Sequence, residues 1–303
     1  MLVITGATGN IGSKLTERLL VWSQNVRVIG RSIERLAALG KQGAEPVAGD
    51  LRDTVFLTRA FSGAEAVFVM IPPNTAAEDF RLYQREVSES VITAVEKGGV
   101  RFVVNLSSQG AHLPSGTGPI VGLHDHEERL NRLEGVNVLH LRPTYFMENL
   151  LMNISLIRNA GIMGSAVRGD ARFTMIATKD IADYAAERMA KRDFSGKTVR
   201  DLLGPRDISL DEATAVIGNK LGLPGLKYVT FPYAEAEKGM VAAGLTPDLS
   251  RLYVEMSKAL NEGRFAAGIP RTPENTTPTS IEEFAGLFAQ IYHDAGEGKK
   301  QAA

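Results

Sequence analysis

Residues 3–12, Val3-Ile4-Thr5-Gly6-Ala7-Thr8-Gly9-Asn10-Ile11-Gly12, restrict the fold of this chain more than any other segment. An apolar strand runs into glycines at three-residue spacing, and a helical pattern over 13–21 follows directly. Glycine is required where a backbone turns tightly and must come close to a ligand. A helix start behind such a turn aims free N–H groups and the positive end of its dipole at an anion. Together these features suit the pyrophosphate of a dinucleotide, cradled by Gly6, Thr8, Gly9, Asn10, Ile11 and Gly12. The spacing is GxxGxxG rather than GxGxxG, so its weight comes from context, a strand before and a helix after. An ordinary glycine-rich turn is the competing reading.

A second strand, 26–30, runs into Arg31, nineteen residues beyond Gly12. Chains that prefer NAD usually place a carboxylate near here to accept from the ribose 2′-hydroxyl. Arginine offers instead a planar fork of donors that suits a 2′-phosphate, and Ser32 adds another donor. The expected cofactor is NADP(H) in preference to NAD(H). The alternative is that Arg31 is a solvated residue opening the next helix.

Composition narrows the class. The 303 residues can hold one large α/β domain and a smaller lobe. A net charge of −1 gives no field for nucleic acid or an anionic membrane. There is no cysteine, which removes disulfides, thiolate metal sites and a cysteine nucleophile. A strand starting at Leu2 leaves no room for a targeting peptide, and no apolar run approaches the roughly 18 residues of a membrane span. The expectation is a cytoplasmic protein with a small-molecule partner; the oligomeric state is left open.

Strand and helix patterns alternate through the first half. Segments 45–50, 64–71, 101–106 and 136–141 read as further strands, with helical spacing over 53–61 and 124–133. Thr75-Ala76-Ala77-Glu78 has the form of a capping box opening a helix that ends at Gly98-Gly99. Short, nearly all-apolar strands alternating with helices indicate a doubly wound parallel sheet. Beyond Pro143 the pattern loosens into helices over 179–191, 210–221, 249–261 and 281–293, with strand-like pieces at 198–202 and 227–231. Ser209 with Glu212, and Ser280 with Glu283, supply two more capping boxes. The expected division is a dinucleotide-binding domain over 1–143 and a smaller C-terminal α/β substrate lobe over 144–295, partly interleaved with the first. A frayed tail follows over 296–303.

Ligands of such sheets bind beyond the carboxyl ends of the strands, so the residues there are the candidates. Asp50, with Leu51 beside it, either takes a hydrogen bond from the adenine amino group or caps the next helix. Ile71 and Pro72 should pass the nicotinamide ribose. The hydroxyls of Ser107 and Ser108 either face the reacting ring or belong to a satisfied turn.

The sixth strand ends in Leu141-Arg142-Pro143-Thr144-Tyr145-Phe146-Met147-Glu148-Asn149. Matching segments are the glycine run, Gly49-Asp50-Leu51-Arg52-Asp53, His124-Asp125-His126-Glu127-Glu128 and Asp201-Leu202-Leu203-Gly204-Pro205. With these, the chain resembles the NmrA-like branch of the atypical short-chain dehydrogenase/reductases over about 1–263. The resemblance implies a Rossmann-type NAD(P)-binding domain with Pro143 at the cofactor. It implies NADPH-dependent reduction of quinones, azo compounds or triphenylmethane dyes, or, in other members, a silent nucleotide sensor read by a protein partner. By the same resemblance Phe146, Met147 and Asn149 would line the substrate pocket, lobe packing being their alternative. Tyr145, just past the strand end, would touch the nicotinamide side.

One departure from the wider superfamily matters most. Its members carry YxxxK, the Tyr as proton donor, yet none of the seven tyrosines here has Lys four residues on. The family's usual interval back from Gly135 places His124 where the Lys belongs and Ile120 where the Tyr belongs. Isoleucine cannot donate a proton, so ordinary carbonyl reduction loses its general acid. Two readings survive. Hydride can go to an acceptor that needs no strong acid, such as a quinone or a cationic dye, with His124, Ser107 and Tyr145 as the catalytic candidates. Alternatively, occupancy of the cofactor site changes a surface that a partner reads.

Other signals are weaker. His124 and His126 point to different faces of a helix, which argues against a metal there. Segment 208–223 has a faint helix-turn-helix look, but its acidic start and the neutral net charge argue against direct DNA binding. Ser107 and Ser108 lack the GxSxG elbow of a hydrolase.

Overall fold

The structure, a computed structural model, describes residues 1–265 and 268–300. Its first half runs β1 (Leu2–Thr5), α1 (Asn10–Val21), β2 (Val26–Gly30), α2 (Ile33–Lys41), β3 (Glu45–Ala48) and α3 (Thr54–Phe61). There follow β4 (Ala66–Met70), α4 (Phe80–Lys97), β5 (Phe102–Leu106), α5 (Ile120–Asn131) and β6 (Asn137–Pro143). The second half opens with β7 (Tyr145–Phe146), a 3₁₀ segment (Met147–Asn153), α6 (Ile154–Ala160), β8 (Ile162–Ser165), β9 (Arg172–Ile176) and α7 (Thr178–Lys191). It ends with β10 (Lys197–Leu202), β11 (Asp207–Ser209), α8 (Leu210–Leu221), β12 (Lys227–Thr230), α9 (Tyr233–Ala242), α10 (Pro247–Asn261) and α11 (Ile281–Lys300).

Seven parallel strands form the main sheet in the order β10-β6-β5-β4-β1-β2-β3. The order reverses between β1 and β4, and that switch point opens a crevice beyond their carboxyl ends. Period-two alternation sends Leu2, Ile4 and Phe68 to one face and Val3, Val67 and Val69 to the other. The first set packs under α1 and α7, through Leu15, Leu19, Ile181 and Ala185; the second packs under α3, α4 and α5, through Leu57, Val87, Val91 and Leu130. Burial on both faces is why these strands are almost wholly apolar. Both α7 and β10 come from beyond Pro143 yet complete the main sheet and its cover. A third core, with Met147, Met175, Ile208, Ile217 and Phe288, gathers α8, α11 and a small β11-β9-β7 sheet.

Several local expectations need correction. The residues of the 75–78 capping box bond the start of α10 instead: the Thr75 carbonyl accepts from Thr246 N–H at 3.2 Å, and the Ala77 carbonyl from Thr246 Oγ1 at 2.9 Å. Helix α4 therefore opens at Phe80, where Asp79 accepts from Leu82 N–H at 2.8 Å. Helix α5 starts at Ile120, which moves His124 into its second turn. At the two other boxes the serine half forms, Ser209 and Ser280 accepting from Glu212 and Glu283 N–H at 3.1 and 3.2 Å, while the glutamate side chains accept from Arg206 and Lys179. Helix α9 has no buried residue, so it carries no apolar stripe to read. Of the expected frayed tail, 296–300 continue α11, whereas 301–303 lie outside the described residues.

Two buried histidines tie α5 to its neighbours, His126 to α4 and His140 to the sheet. His126 Nδ1 lies 2.8 Å from Ser88 Oγ, and His140 bridges Asn105 Nδ2 and Asn131 Oδ1, each at 3.0 Å. Burial pulls His126 down to about 3 and His140 down to about 4. The unfolded chain takes up protons below about pH 6.5 while the folded chain does not. Stability is therefore fully present above that pH and is lost as pH falls toward 4. We expect each imidazole to cost about 1–2 kcal/mol by about pH 5, read by urea denaturation across that range. His126→Gln should flatten the slope; an unchanged slope would remove His126 from the account.

Candidate cofactor and active site

The turn between β1 and α1 is shaped by its glycines. Gly6 has φ +63°, a conformation open to glycine, and Gly9 N–H closes back on the Gly6 carbonyl at 3.0 Å. A Cβ on Gly12 would stand 2.3 Å from the Gly6 oxygen and 2.8 Å from Ala7 Cα, so the helix start rests directly on the turn. Helices α2, α3, α4, α8 and α10 are each capped by a side chain; α1 begins at Gly9 with none. The first backbone bond there is Ser13 N–H to the Gly9 carbonyl, at 3.0 Å. The N–H groups of Asn10, Ile11 and Gly12 have no acceptor among the described residues. Thr8, Gly9 and Asn10 are exposed, which leaves the Asn10 donor open to an anion, while Ile11 and Gly12 are buried behind it.

At the end of β2, Arg31 is exposed and makes no hydrogen bond or ion pair among the described residues. Ser32 is not the free donor expected. Its hydroxyl caps α2, accepting from Arg35 N–H at 3.2 Å, and donates to Glu34 Oε2 at 2.6 Å. Asp50 does not cap α3; Asp53 does, accepting from Phe56 N–H at 2.9 Å. Asp50 is held by Arg52, whose hydrogen bonds keep its carboxyl below the usual range. Leu51 is 8% exposed and belongs to the core under α3 and α4.

The other strand ends meet beyond β4, β5 and β6. Ile71 is buried and Pro72 half-buried. The Ser107 hydroxyl is buried with no partner, while its N–H donates to the Leu141 carbonyl at 2.8 Å. Ser108 Oγ is taken by the Gln109 carbonyl, and Gln109 N–H donates to the Pro143 carbonyl at 2.9 Å. His124 Nδ1 donates to the Ala111 carbonyl at 2.8 Å, which leaves Nε2 as an acceptor. Thr144 Oγ1, just past Pro143, is a second buried hydroxyl without a partner. Thr144 lies inside the 141–149 run but is not singled out by it; its burial without a partner is what marks it. Ile120 packs with Ala111, Ala259 and Phe265 in a small core, an apolar filler with no polar role.

The residues after Pro143 fall largely outside the expected pocket. Tyr145 packs on Phe173 with ring centroids 5.2 Å apart, and burial pushes its phenol up, the wrong direction for a proton donor. Phe146 leans on the first core, Met147 is 1% exposed in the third, and Asn149 points to solvent. The polar anchor of this run is Glu148, which accepts from Thr178 N–H at 3.0 Å and lies 3.9 Å from Lys14 Nζ, tying the lobe to α1 and α7. A cavity of about 460 Å³ lies beyond β5 and β10, walled by Gln109, Phe173, Leu203, Leu260 and Phe265. None of Phe146, Met147 and Asn149 lines it. Its walls come from segments far apart in sequence, so no local motif could have announced it. A larger groove of about 1020 Å³ along α7 includes no residue of the glycine turn and is not the cofactor crevice.

The open α1 N-terminus, the turn that only glycine fills and the unpaired Arg31 fit an NAD(P) dinucleotide laid across the switch point. A family model described as NAD(P)H-binding matches residues 6–192, more than half the chain. The chain belongs to the NAD(P)H-binding family. Its place there is the NmrA-like branch of the atypical short-chain dehydrogenase/reductases. It is 29% identical over 294 residues to a (4-alkanoyl-5-oxo-2,5-dihydrofuran-3-yl)methyl phosphate reductase of Streptomyces griseus, covering 97% of this chain and 96% of that one. It is 26% identical over 285 residues to an NAD(P)H azoreductase of Xenophilus azovorans, covering 94% and 96%. Its fold matches an NADPH-dependent quinone oxidoreductase of Escherichia coli solved with NADPH, at a TM-score of 0.80 and 22% identity, covering 95% and 99%. Among the described residues no cluster of three or more His, Cys, Asp and Glu is arranged for a metal, and no helix is long and apolar enough to cross a membrane.

Proposed function

We propose that this protein is an NADPH-dependent reductase that passes hydride to a conjugated small-molecule acceptor, quinone-like in electronic character. The observation that carries the reading is an intact dinucleotide cradle beside a reacting end whose donor position holds a core isoleucine, Ile120. Family membership and relatives named as reductases support it.

When bound, the nicotinamide supplies the hydride. The chain does the rest. Free N–H groups of Asn10, Ile11 and Gly12 hold the pyrophosphate, and Arg31 meets the 2′-phosphate. His124, fixed by the Ala111 carbonyl, presents Nε2 to accept from a ribose hydroxyl. Ser107 and Thr144 supply unengaged hydroxyls at the ends of β5 and β6. Phe173, Leu260 and Phe265 offer apolar surface that orients a flat molecule, in a cavity whose rim also carries Arg172, Arg206, Asp207 and Arg271. An acceptor whose reduced form is already stabilised needs no strong acid, in keeping with the apolar Ile120.

Consumption of NADPH with a panel of quinones, azo compounds and triarylmethane dyes tests the reading, once binding is confirmed. Turnover above background supports it. Tight binding without turnover on any acceptor overturns it in favour of a nucleotide sensor read by a protein partner. Arg31→Ala should weaken NADPH binding about tenfold or more and barely change NADH, the scale of a lost charge-assisted contact. Equal loss for both would remove the 2′-phosphate argument.

A further inference from the structure

Arg31 serves a 2′-phosphate only while no carboxylate claims it, and one stands next to it. Strands β2 and β3 pair in parallel with Gly30 opposite Ala48, and Gly49 N–H donates to the Gly30 carbonyl at 2.9 Å. Arg31 and Asp50 therefore leave the sheet as neighbours, close enough for the guanidinium charge to help hold Asp50 ionised. An Asp50 carboxylate turned onto Arg31 would neutralise it and repel an incoming phosphate.

The structure shows the opposite arrangement. Asp50 is gripped by Arg52: Oδ1 accepts from Arg52 N–H at 2.9 Å and from its Nε at 3.2 Å, and Oδ2 accepts from Nη2 at 2.9 Å. Arg52 is braced in turn, with Nη1 3.7 Å from Glu86 and its guanidinium 5.9 Å from the centre of the Tyr83 ring. Arg31 is left unpaired.

We propose that Arg52 sets the cofactor preference by clamping the Asp50 carboxylate, so that Arg31 stays available to the 2′-phosphate. The inference rests on the proposed role of Arg31 in selecting NADPH. Arg52 is a positioning residue: it acts through Asp50 and needs no contact with the cofactor.

The test is the ratio of equilibrium dissociation constants for NADH and NADPH, measured on the full chain by reduced-nicotinamide fluorescence. The variants are Arg31→Ala, Arg52→Ala, Arg52→Lys and the double variant Asp50→Asn/Arg52→Ala. A general structural defect, or loss of an adenine contact at Asp50, would weaken both cofactors alike and leave the ratio unmoved. Arg52→Ala should lower the preference for NADPH by roughly threefold to fivefold, the scale of one exposed ion pair. Arg52→Lys, which lacks the two-pronged grip, should fall between it and wild type. The double variant should return the preference to the wild-type value, because the freed carboxylate is gone. A ratio unchanged in Arg52→Ala, with Arg31→Ala reducing it, overturns the clamp while sparing the role of Arg31. A drop that the double variant does not reverse also overturns it, since Arg52 would then touch the phosphate itself. No effect in Arg31→Ala overturns both readings together.

Discussion

Gly9→Val is expected to weaken NADPH binding by about a hundredfold or more while the fold stands, and Gly12→Ala to damage the fold itself. The difference lies in what each new carbon meets. Gly9 has extended backbone, φ −88° and ψ 174°, which any residue adopts, and a Cβ there would approach only the Gly6 oxygen, at 3.3 Å. On the proposed function the valine methyls are expected to crowd the exposed turn at the start of α1, where the pyrophosphate would lie. At Gly12 the Cβ would press on the Gly6 oxygen at 2.3 Å and on Ala7 Cα at 2.8 Å, backbone atoms that cannot move without opening the turn. We expect about 3 kcal/mol of lost stability. Thermal melts paired with NADPH titrations separate the two. Wild-type affinity in Gly9→Val would mean the cofactor does not lie on this turn.

The second large effect lies behind the reacting end. Arg142, at the end of β6, reaches Glu127 on α5 through two parallel bonds, Nε to Oε1 at 3.0 Å and Nη2 to Oε2 at 2.5 Å. The side chains are 17% and 4% exposed. Glu127→Ala would leave the guanidinium half-entombed without its counter-charge, a loss of about 3–5 kcal/mol. Removing both charges in Glu127→Leu/Arg142→Met should recover much of that, because neither ion then needs desolvating. Urea denaturation reads both variants. A single-variant loss below about 1 kcal/mol would show that solvent reaches the pair freely. The pair also steadies the strand end that carries Pro143, whose carbonyl accepts from Gln109 in the cavity wall, so turnover should fall with stability.

Neighbouring pairs of residues show where sequence reasoning stopped. Asp50 and Asp53 both precede α3, and both are good caps by type; only the pitch of the turn decided that Asp53 takes Phe56 N–H while Asp50 turns to Arg52. Ser32 looked like a phosphate donor because of its place beside Arg31, but the helix it opens claims its hydroxyl. Thr75 and Glu78 had a cap's spacing, and the start of α10, far away in sequence, took the chain there for itself. Met147 sat in the most specific run of the chain and proved to be core.

The sequence by itself determined the alternating α/β layout, the parallel sheet buried on both faces, the glycine turn under an open helix start and the absence of an acid where the superfamily keeps its tyrosine. These are short-range properties: a period of two, a cap, a turn and a residue type act within a few positions. Only the tertiary structure decided which later elements join the first domain, β10 as the edge strand of the main sheet and α7 as part of its cover, that Glu148 ties the lobes together, and that Phe173, Leu260 and Phe265 meet in a cavity that Phe146, Met147 and Asn149 do not line. Those residues lie far apart along the chain, and it is the burial of apolar faces against one another, which no local pattern encodes, that brings them together.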